Sequence, residues 1–230
     1  MIKTIFLDLD DTILDFQKGE RQAISKTLAK IGIEPTEKII ERYMEINIAS
    51  WRALERGEMT RDQVLYGRFE KLLSELSVEG DPVETQKIYQ TLLSMEHDFL
   101  PGGEELLKKL TESGKYKLYI ATNGIPEVQK PRIADSGIGK YFDGVFISYD
   151  FGVGKPSREF FDRCFERIKG FRREECIIVG DSLTSDIKGG INAGILTCHF
   201  NPKDKPYDDI IPDYKIKELS ELIPLLDSIE

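Results

Sequence analysis

The 230-residue sequence predicts an α/β fold, a doubly wound parallel sheet with a four-helix domain inserted after its first strand. Three observations carry this prediction. The apolar run at 2–7 has the composition of a strand buried on both faces of a parallel sheet. From about residue 16 to residue 96, apolar residues recur at helical spacing without an intervening strand. From residue 97 onward, short helices alternate with apolar runs, an order typical of parallel strands joined by right-handed crossovers.

Residues 16–96 are predicted to form a helical domain. Four stretches in this segment carry apolar residues at helical spacing, and Thr60 with Gln63 matches a capping box. The predicted helices begin at Gln17, Thr36, Thr60 and Pro82. Consecutive amphipathic helices joined by short loops bury their apolar stripes against one another. We therefore expect one bundle domain here and one sheet domain built from residues 1–15 and 97–230.

The second part of the chain is predicted to add four strands to the first one. They begin at Lys117, Val145, Cys176 and Ile195. The predicted helices around them lie at 104–113, 127–136, 157–168, 186–193 and 219–229. Because an isolated strand cannot bury its two faces, the strand at 2–7 has to belong to this sheet as well.

Polar residues follow four of these strands, at the sheet edge where ligands bind in open α/β folds. The four segments are 8–12, 122–124, 149–156 and 180–186. Together they gather carboxylates, hydroxyls, backbone N–H groups and an ammonium. Asp8 and Asp10 at the end of one strand are costly together unless a cation or a proton relieves them. The residues alone therefore predict a divalent-metal site with one carboxylate free for covalent chemistry.

The amino-acid composition limits the partners and the cellular location that we expect for the protein. The net charge of −9 argues against a nucleic acid polymer as partner, but it leaves a small phosphorylated metabolite open because a cation can neutralise its charge. No run approaches the ~20 apolar residues of a membrane span, and the N-terminal stretch has the pattern of a strand rather than of a signal peptide. The three cysteines show no paired spacing, so we expect reduced thiols and a cytoplasmic location.

Other metal and nucleotide sites do not match the sequence. Ile13 stands where an EF-hand loop needs glycine, and Pro156 replaces the serine or threonine that follows a Walker A lysine. His97 and His199 are the only histidines, which makes a histidine-based zinc site or triad improbable. We expect each of them to be a surface residue or a hydrogen-bonded core residue. These exclusions leave phosphoryl chemistry, with a hard cation bound by oxygen ligands, as the predicted activity.

Four ordered motifs resemble those of the haloacid dehalogenase-like (HAD) hydrolase superfamily. They are Asp8-Leu9-Asp10-Asp11-Thr12, Thr122-Asn123-Gly124, Lys155-Pro156 and Gly180-Asp181 with Asp186. The resemblance spans the whole chain and implies a Rossmann-like core with a helical (C1) cap inserted after the first motif. The longer strings at 147–152 and 180–187 resemble the branch that contains pyrimidine 5′-nucleotidases.

The resemblance implies a phosphatase mechanism. Asp8 is expected to be the nucleophile that forms an aspartyl-phosphate. Asp10 is expected to act as general acid and then as general base. Mg²⁺ would be held by the carboxylates of Asp8 and Asp181 and by the backbone carbonyl of Asp10.

The remaining motif residues are expected to support this chemistry. Thr122 and the N–H groups of Asn123 and Gly124 would hold phosphate oxygens. Lys155 would neutralise the nucleophile and the phosphate. Asp186 would orient Lys155 or a metal-bound water, and Thr12 is placed with it behind the residues that touch metal and substrate.

The implied function is a Mg²⁺-dependent phosphatase whose leading substrate is a nucleoside monophosphate. A sugar-phosphate or phosphoglycolate-type phosphatase and a phosphomutase share the same core and stay open. A 2-haloacid dehalogenase needs neither Asp10 nor Asp181, and a non-enzymatic phospho-receiver needs no cap, so both are disfavoured. Four aromatic residues of the insert could stack a nucleobase, although helical spacing favours a core role: Tyr43, Trp51, Tyr66 and Phe69. The sequence does not decide between a monomer and a homodimer.

Overall fold

The computed structural model describes residues 1–207 and 209–229, and the chain divides into two compact units. The sheet unit contains Met1–Asp15, Asp98–Pro126 and Ile133–Glu230. The helical unit contains Phe16–His97 together with Glu127–Arg132, a segment that the sequence analysis placed in the sheet domain. The role of the helical unit as a cap that selects substrate stays a prediction.

The helices of the insert begin within one residue of their predicted starts. They are α1 (Phe16–Lys30), α2 (Glu37–Glu55), α3 (Arg61–Glu75) and α4 (Pro82–Leu93). Helix α1 packs against α4, α2 packs against α3, and α3 packs against α4. Their apolar stripes therefore cover one another, as the bundle prediction requires.

The helix starts differ in how their first N–H groups are satisfied. At α3 the predicted capping box is confirmed, since the Thr60 hydroxyl accepts from the Gln63 N–H at 3.3 Å and the Gln63 side chain accepts from the Thr60 N–H at 2.7 Å. At α4 the Asp81 carboxylate accepts from the Val83 N–H at 2.8 Å. Thr36 precedes α2 with an extended backbone, but its side chain makes no cap hydrogen bond.

The helical unit has an aromatic core. The rings of Tyr43, Phe69 and Tyr89 lie 5.3–5.4 Å apart, and each of the three residues is at most 1% exposed. The core interpretation is therefore confirmed for Tyr43 and Phe69. Tyr66 is 36% exposed and Trp51 is half-buried.

A buried polar network crosses the same bundle. The Arg68 guanidinium donates to the side-chain oxygens of Asn47 at 2.5 Å and Gln86 at 2.7 Å, and it lies 4.9 Å from the centre of the Tyr89 ring. Asn47 and Tyr89 in turn donate to the Glu20 carboxylate at 2.6 Å and 3.2 Å. Residues from α1, α2, α3 and α4 are thus joined by charge-assisted hydrogen bonds in the interior.

In the described part of the chain the sheet has six parallel strands, in the order β3-β2-β1-β4-β5-β6. They are β1 (Thr4–Leu7), β2 (Lys117–Thr122), β3 (Gly144–Ile147), β4 (Cys176–Gly180), β5 (Leu196–Phe200) and β6 (Tyr214–Ile216). The predicted fold class is confirmed. The sequence analysis missed β6, because its three residues are too few to show a strand period.

Helices flank the sheet. They are α5 (Gly103–Glu112), α6 (Pro126–Asp135), α7 (Ser148–Phe151), α8 (Arg158–Phe165), α9 (Lys188–Ala193) and α10 (Leu222–Ser228). The predicted helix at 186–193 begins instead with a π-helical turn at Leu183–Ile187, and the predicted helix at 219–229 begins with a 3₁₀ turn at Leu219–Glu221. Helix α7 was not predicted.

Both faces of the sheet are covered, as the apolar first strand indicated. Ile5 and Leu7 of β1 belong to one core cluster, with residues of α5 and α10, whereas Phe6 belongs to the other, with residues of α8. The alternation follows from the two-residue period of a strand. No helix among the described residues is both long enough and apolar enough to cross a lipid bilayer.

Candidate active site

The site is built at the carboxyl end of β1, which lies between β2 and β4. The Asp8 N–H extends the sheet pairing by donating to the Val179 carbonyl at 3.0 Å. The chain then turns tightly, since the N–H groups of Ile13 and Leu14 both donate to the Leu9 carbonyl. Asp11 sits in this turn with a φ of 56°, a conformation uncommon outside glycine. The turn keeps the first-motif residues at the end of the strand.

Lys155 is a buried charge of the site with a full set of hydrogen bonds. Its ammonium donates at 2.6 Å to each of three oxygens, which belong to the carboxylates of Asp8 and Asp186 and to the Ala121 carbonyl. The Lys155 side chain is 1% exposed. An ammonium has three donors, so these contacts satisfy it completely and hold its charge against Asp8.

The Asn123 side chain holds the backbone of Lys155. Its amide oxygen accepts from the Lys155 N–H at 2.9 Å, and its amide nitrogen donates to the Lys155 carbonyl at 2.8 Å and to the Ser185 hydroxyl at 3.2 Å. A Cβ at Gly154 would overlap the Asn123 side chain, so glycine is required there. The sequence analysis gave Asn123 only a backbone role and missed this clamp.

Thr122 and Gly124 lie beside this clamp at the end of β2. The Gly124 N–H donates to the Thr122 hydroxyl at 3.1 Å, and Thr122 is 1% exposed. Phosphate binding by these two groups stays a prediction. Because the Gly124 N–H already has a partner, a phosphate oxygen has to share or replace this hydrogen bond.

Thr12 connects two of the motif aspartates. Its hydroxyl donates to Asp8 Oδ2 at 3.4 Å and accepts from the Asp181 N–H at 3.1 Å. Thr12 is fully buried, with no exposed surface. It therefore couples the carboxyl end of β1 to the carboxyl end of β4, and its supporting role in catalysis stays a prediction.

Asp186 is positioned by the π-helical turn that follows β4, an element often found at functional sites. One carboxylate oxygen accepts from Lys155, and the other accepts from the Ser182 N–H at 3.1 Å. A Cβ at Gly180 would overlap the Asp186 carboxylate. Both oxygens of Asp186 thus have a protein partner, and the residue lies where it can orient Lys155.

Three carboxylates of the site form a cluster that can hold a metal ion. One oxygen each from Asp8, Asp181 and Asp186 lies within 4.8 Å of the others. Hard divalent cations prefer such all-oxygen sets. Both oxygens of Asp186 accept hydrogen bonds at 2.6 and 3.1 Å, whereas Asp8 Oδ2 has, among the described residues, only the 3.4 Å contact from Thr12. The donors that fit the cation best are therefore Asp8 and Asp181. The carboxylate of Asp10 does not belong to the cluster, and ligation by its backbone carbonyl stays a prediction.

The electrostatics of the cluster also suit a cation. Burial raises the pKa of Asp8 to about 8, with Asp186 and Asp10 adding to the shift and Lys155 opposing it. Burial and the charges of Asp8 and Asp186 raise the pKa of Asp181 as well. Burial alone would lower the pKa of Lys155, but Asp186 and Asp8 outweigh it and raise that pKa. One ammonium therefore does not offset the crowded carboxylates, and a divalent cation would supply the missing positive charge.

The histidine at the end of β5 is a hydrogen-bonded core residue, one of the two outcomes expected from the sequence. His199 is 5% exposed. Its Nε2 lies 2.8 Å from the Asp181 carbonyl oxygen, and its Nδ1 lies 3.0 Å from the Tyr207 hydroxyl. Burial lowers the pKa of His199. The sequence predicted a surface or core role for His199 but not its contact to the backbone of a motif residue.

A family model described as haloacid dehalogenase-like hydrolase matches residues 2–194. The chain belongs to the haloacid dehalogenase-like hydrolases. The family assignment that the four motifs indicated is therefore confirmed.

Three curated relatives cover almost the whole chain. HAD-hydrolase YfnB of Bacillus subtilis is 42% identical over 97% of this chain and 95% of its own length. Pyrimidine 5′-nucleotidases PynA of Streptococcus pneumoniae and YjjG of Escherichia coli are 35% and 32% identical over 98% and 96% of this chain, and over 95% and 96% of their own lengths. The expected resemblance to the nucleotidase branch is confirmed, and the chain is a phosphoric monoester hydrolase.

A solved structure shares the fold closely. The crystal structure of YfnB, described as bound to magnesium and as revealing interdomain movement, has a TM-score of 0.93 and 41% identity. The match covers 98% of this chain and 99% of the YfnB chain. The likeness therefore extends over the complete fold.

Proposed function

We propose that this chain is a Mg²⁺-dependent phosphatase that hydrolyses a small phosphomonoester through an aspartyl-phosphate on Asp8. The observation that carries the proposal is the setting of Asp8, a buried carboxylate at the end of an inner strand, 2.6 Å from the Lys155 ammonium and in one cluster with Asp181. A carboxylate is a competent phosphoryl acceptor. Lys155 offsets negative charge on Asp8 and on an incoming phosphate, whose oxygens gain charge during transfer.

The reaction then has two steps. In the first, an oxygen of Asp8 attacks phosphorus, and the phosphorus–oxygen bond to the leaving alcohol breaks as Asp10 donates a proton to the alcohol oxygen. In the second, water attacks the phosphorus and gives its proton to Asp10, and the bond between Asp8 and phosphorus breaks to release inorganic phosphate. The charge of Asp10 is one of the causes that raise the pKa of Asp8, after burial and the charge of Asp186.

The other motif residues prepare the site for this reaction. Asp8, Asp181 and the backbone carbonyl of Asp10 would hold Mg²⁺, and the bound cation neutralises charge on the phosphate and on the carboxylates. Thr122 and the N–H groups that follow it would bind the phosphate oxygens. Asp186 and the Asn123 clamp keep the Lys155 ammonium at its position.

We further propose that the substrate is a nucleoside monophosphate. PynA and YjjG, which align with nearly the entire chain, are named as pyrimidine 5′-nucleotidases. The strings at 147–152 and 180–187 support the same branch. Sugar phosphates and phosphoglycolate are the competing substrates, and they belong in the same assay.

The test measures phosphate release from pyrimidine and purine nucleoside monophosphates, sugar phosphates and phosphoglycolate, with Mg²⁺ and with EDTA. We expect release from a nucleotide, loss of activity in EDTA, and a kcat at least about 10³-fold lower for Asp8→Asn. The matched control is Asp227→Asn, which changes an exposed carboxylate paired with Lys115 and should leave kcat unchanged. Wild-type activity in Asp8→Asn contradicts the mechanism. Hydrolysis of sugar phosphates without any nucleotide contradicts the nucleotidase assignment alone.

A further inference from the structure

The backbone of Asp181 is held from two sides. Its N–H donates to the Thr12 hydroxyl at 3.1 Å, and its carbonyl oxygen lies 2.8 Å from His199 Nε2. Thr12 belongs to the first motif, whereas His199 comes from β5, a strand that carries none of the four motifs. Both polar groups of the Asp181 backbone are therefore engaged by buried side chains from neighbouring strand ends.

The hydrogen-bond roles of His199 follow from its partners. A carbonyl oxygen only accepts, so Nε2 carries the proton that is shared with Asp181. In a neutral ring, Nδ1 then accepts from the Tyr207 hydroxyl at 3.0 Å. The Asp181 carbonyl thus selects the tautomer in which Nε2 is the donor, and the Tyr207 hydroxyl holds the ring from its other side, as outer partners do for metal-binding groups.

We propose that His199 is a positioning residue for metal binding, which acts by fixing the peptide of Asp181 so that its carboxylate stays directed at the cluster with Asp8. The inference rests on the proposed function, because it takes Asp181 as a metal ligand. Carboxylate oxygens of Asp181 and Asp8 lie within 4.8 Å of each other. Because like charges at this distance repel, an unrestrained Asp181 side chain would turn away from Asp8. The His199 and Thr12 hydrogen bonds oppose that movement, and the hydrogen bond with Tyr207 fixes the orientation of the His199 ring.

If His199 had only a structural role, replacing it would lower the unfolding temperature and leave the Kd for Mg²⁺ unchanged. The control is Thr197, another buried polar residue of β5, whose hydroxyl donates to the Asp213 carboxylate at 2.8 Å and accepts from the Asp213 N–H at 2.9 Å. Thr197→Val removes comparable buried hydrogen bonds from the same strand without touching Asp181. His199→Phe keeps a ring but removes the donor, and His199→Gln keeps an N–H that can reach the Asp181 carbonyl.

The experiment measures the Kd for Mg²⁺ by isothermal titration calorimetry, and the thermal unfolding of each metal-free variant. We expect a Kd about tenfold higher in His199→Phe, the usual scale for outer partners of a metal ligand. His199→Gln should recover most of that loss, and Tyr207→Phe should show a smaller increase. Thr197→Val should lower the metal-free unfolding temperature with the Kd unchanged.

Asp181→Asn, measured in parallel, separates the two levels of the argument. If Asp181→Asn weakens Mg²⁺ binding while folded His199→Phe and His199→Gln both bind like wild type, the positioning role is wrong and the proposed metal site stands. If wild type does not bind Mg²⁺, or Asp181→Asn binds it equally well, the proposed metal site is wrong and the role of His199 is wrong with it. Should His199→Phe fail to fold, equal Kd values for His199→Gln, Tyr207→Phe and Thr197→Val overturn the inference.

Discussion

The ion pair between Lys155 and Asp186 is buried on both sides, with side-chain exposures of 1% and 1%. Taking such charges out of water is costly, and removing one partner leaves the other uncompensated. Asp186 also accepts from the Ser182 N–H, so it anchors the turn after β4 as well as the ammonium. Its contribution to folding should therefore greatly exceed that of a surface ion pair.

We predict that Asp186→Asn lowers the free energy of unfolding by about 3 kcal/mol, because Lys155 loses one of its two carboxylate partners in the interior. The control is Asp162→Asn, which breaks a 2.9 Å ion pair with Arg173 at a site where the carboxylate is 40% exposed. That change should cost less than about 1 kcal/mol. Urea unfolding of both variants measures the difference. Equal decreases in the free energy of unfolding would show that burial does not determine how much the Lys155–Asp186 pair contributes to stability.

Some contacts of single residues could be predicted from the sequence, and others could not. Residue type and order were enough to bring Asp8, Lys155 and Asp181 to one sheet edge, since parallel strands align their carboxyl ends. The Asn123 clamp and the His199 contact could not be read in the same way. Each depends on a side chain meeting the backbone of a residue 32 or 18 positions away, and no local pattern encodes such a meeting.

At the scale of single helices, two threonines precede helices in similar extended conformations but differ in bonding. Thr60 makes both hydrogen bonds of a capping box, whereas the Thr36 side chain makes no cap hydrogen bond. The sequence predicted a capping box only at Thr60, where Gln63 follows three residues later, and it gave Thr36 as the start of a helix. The side-chain torsion that decides the hydrogen bond is set by neighbouring structure.

We predict that Thr60→Ala lowers the free energy of unfolding by about 1 kcal/mol, the typical worth of a threonine N-cap. Thr36→Ala serves as the matched control. It should lower the free energy of unfolding by only a few tenths of that amount, since no side-chain hydrogen bond is lost. The two variants share the substitution, the backbone setting and the helical unit. Denaturant titrations that rank Thr36→Ala as the more damaging change would contradict the assigned cap geometry.

The bundle interior gives a second prediction at the element scale. Arg68→Met should lower the free energy of unfolding by about 2–4 kcal/mol, because hydrogen bonds to a charged group are lost and their buried acceptors on Asn47 and Gln86 are left unsatisfied. The Glu20 carboxylate, linked to Arg68 through Asn47, also loses a compensating charge. Helical circular dichroism during chemical unfolding measures this loss.

Arg42→Met is the control for Arg68→Met. Arg42 pairs with Glu75 and Glu45 at 2.7 Å, but its side chain is 41% exposed. Exposed pairs contribute little, so we expect a loss below about 1 kcal/mol. If Arg68→Met proves neutral, the apolar side chain has replaced the network without cost, and the network contributes specificity rather than stability.

Short elements could not be predicted from the periodicity of apolar residues. Helix α7 has four residues, β6 has three, and the π-helical turn at Leu183–Ile187 has five. Each is shorter than the window over which an apolar period can be recognised. The π-helical turn also places Asp186 under Gly180, a contact that needs the three-dimensional neighbour and not the helix pattern.

At the scale of the whole molecule, a net charge of −9 is combined with a buried carboxylate cluster in the sheet unit. A cation that binds the folded cluster but not the unfolded chain shifts the folding equilibrium toward the native state. The carboxylates of Asp8 and Asp181 then contribute to stability only when the cation is present, since burial and neighbouring negative charges raise the pKa of each of them. Metal binding should therefore appear in the unfolding temperature of the chain.

We predict that Mg²⁺ at one hundred times its Kd stabilises the protein by about 2.7 kcal/mol. For a chain of this size the unfolding temperature should rise by roughly 5–10 °C, and EDTA should reverse the rise. Asp181→Asn should abolish this response, because it replaces one of the two carboxylates that fit the cation. Arg42→Met, a surface change in the helical unit, should retain it. Calorimetric scans that show the same Mg²⁺ shift in Asp181→Asn and in wild type would place the cation elsewhere, since the stabilisation has to follow the residues that bind it.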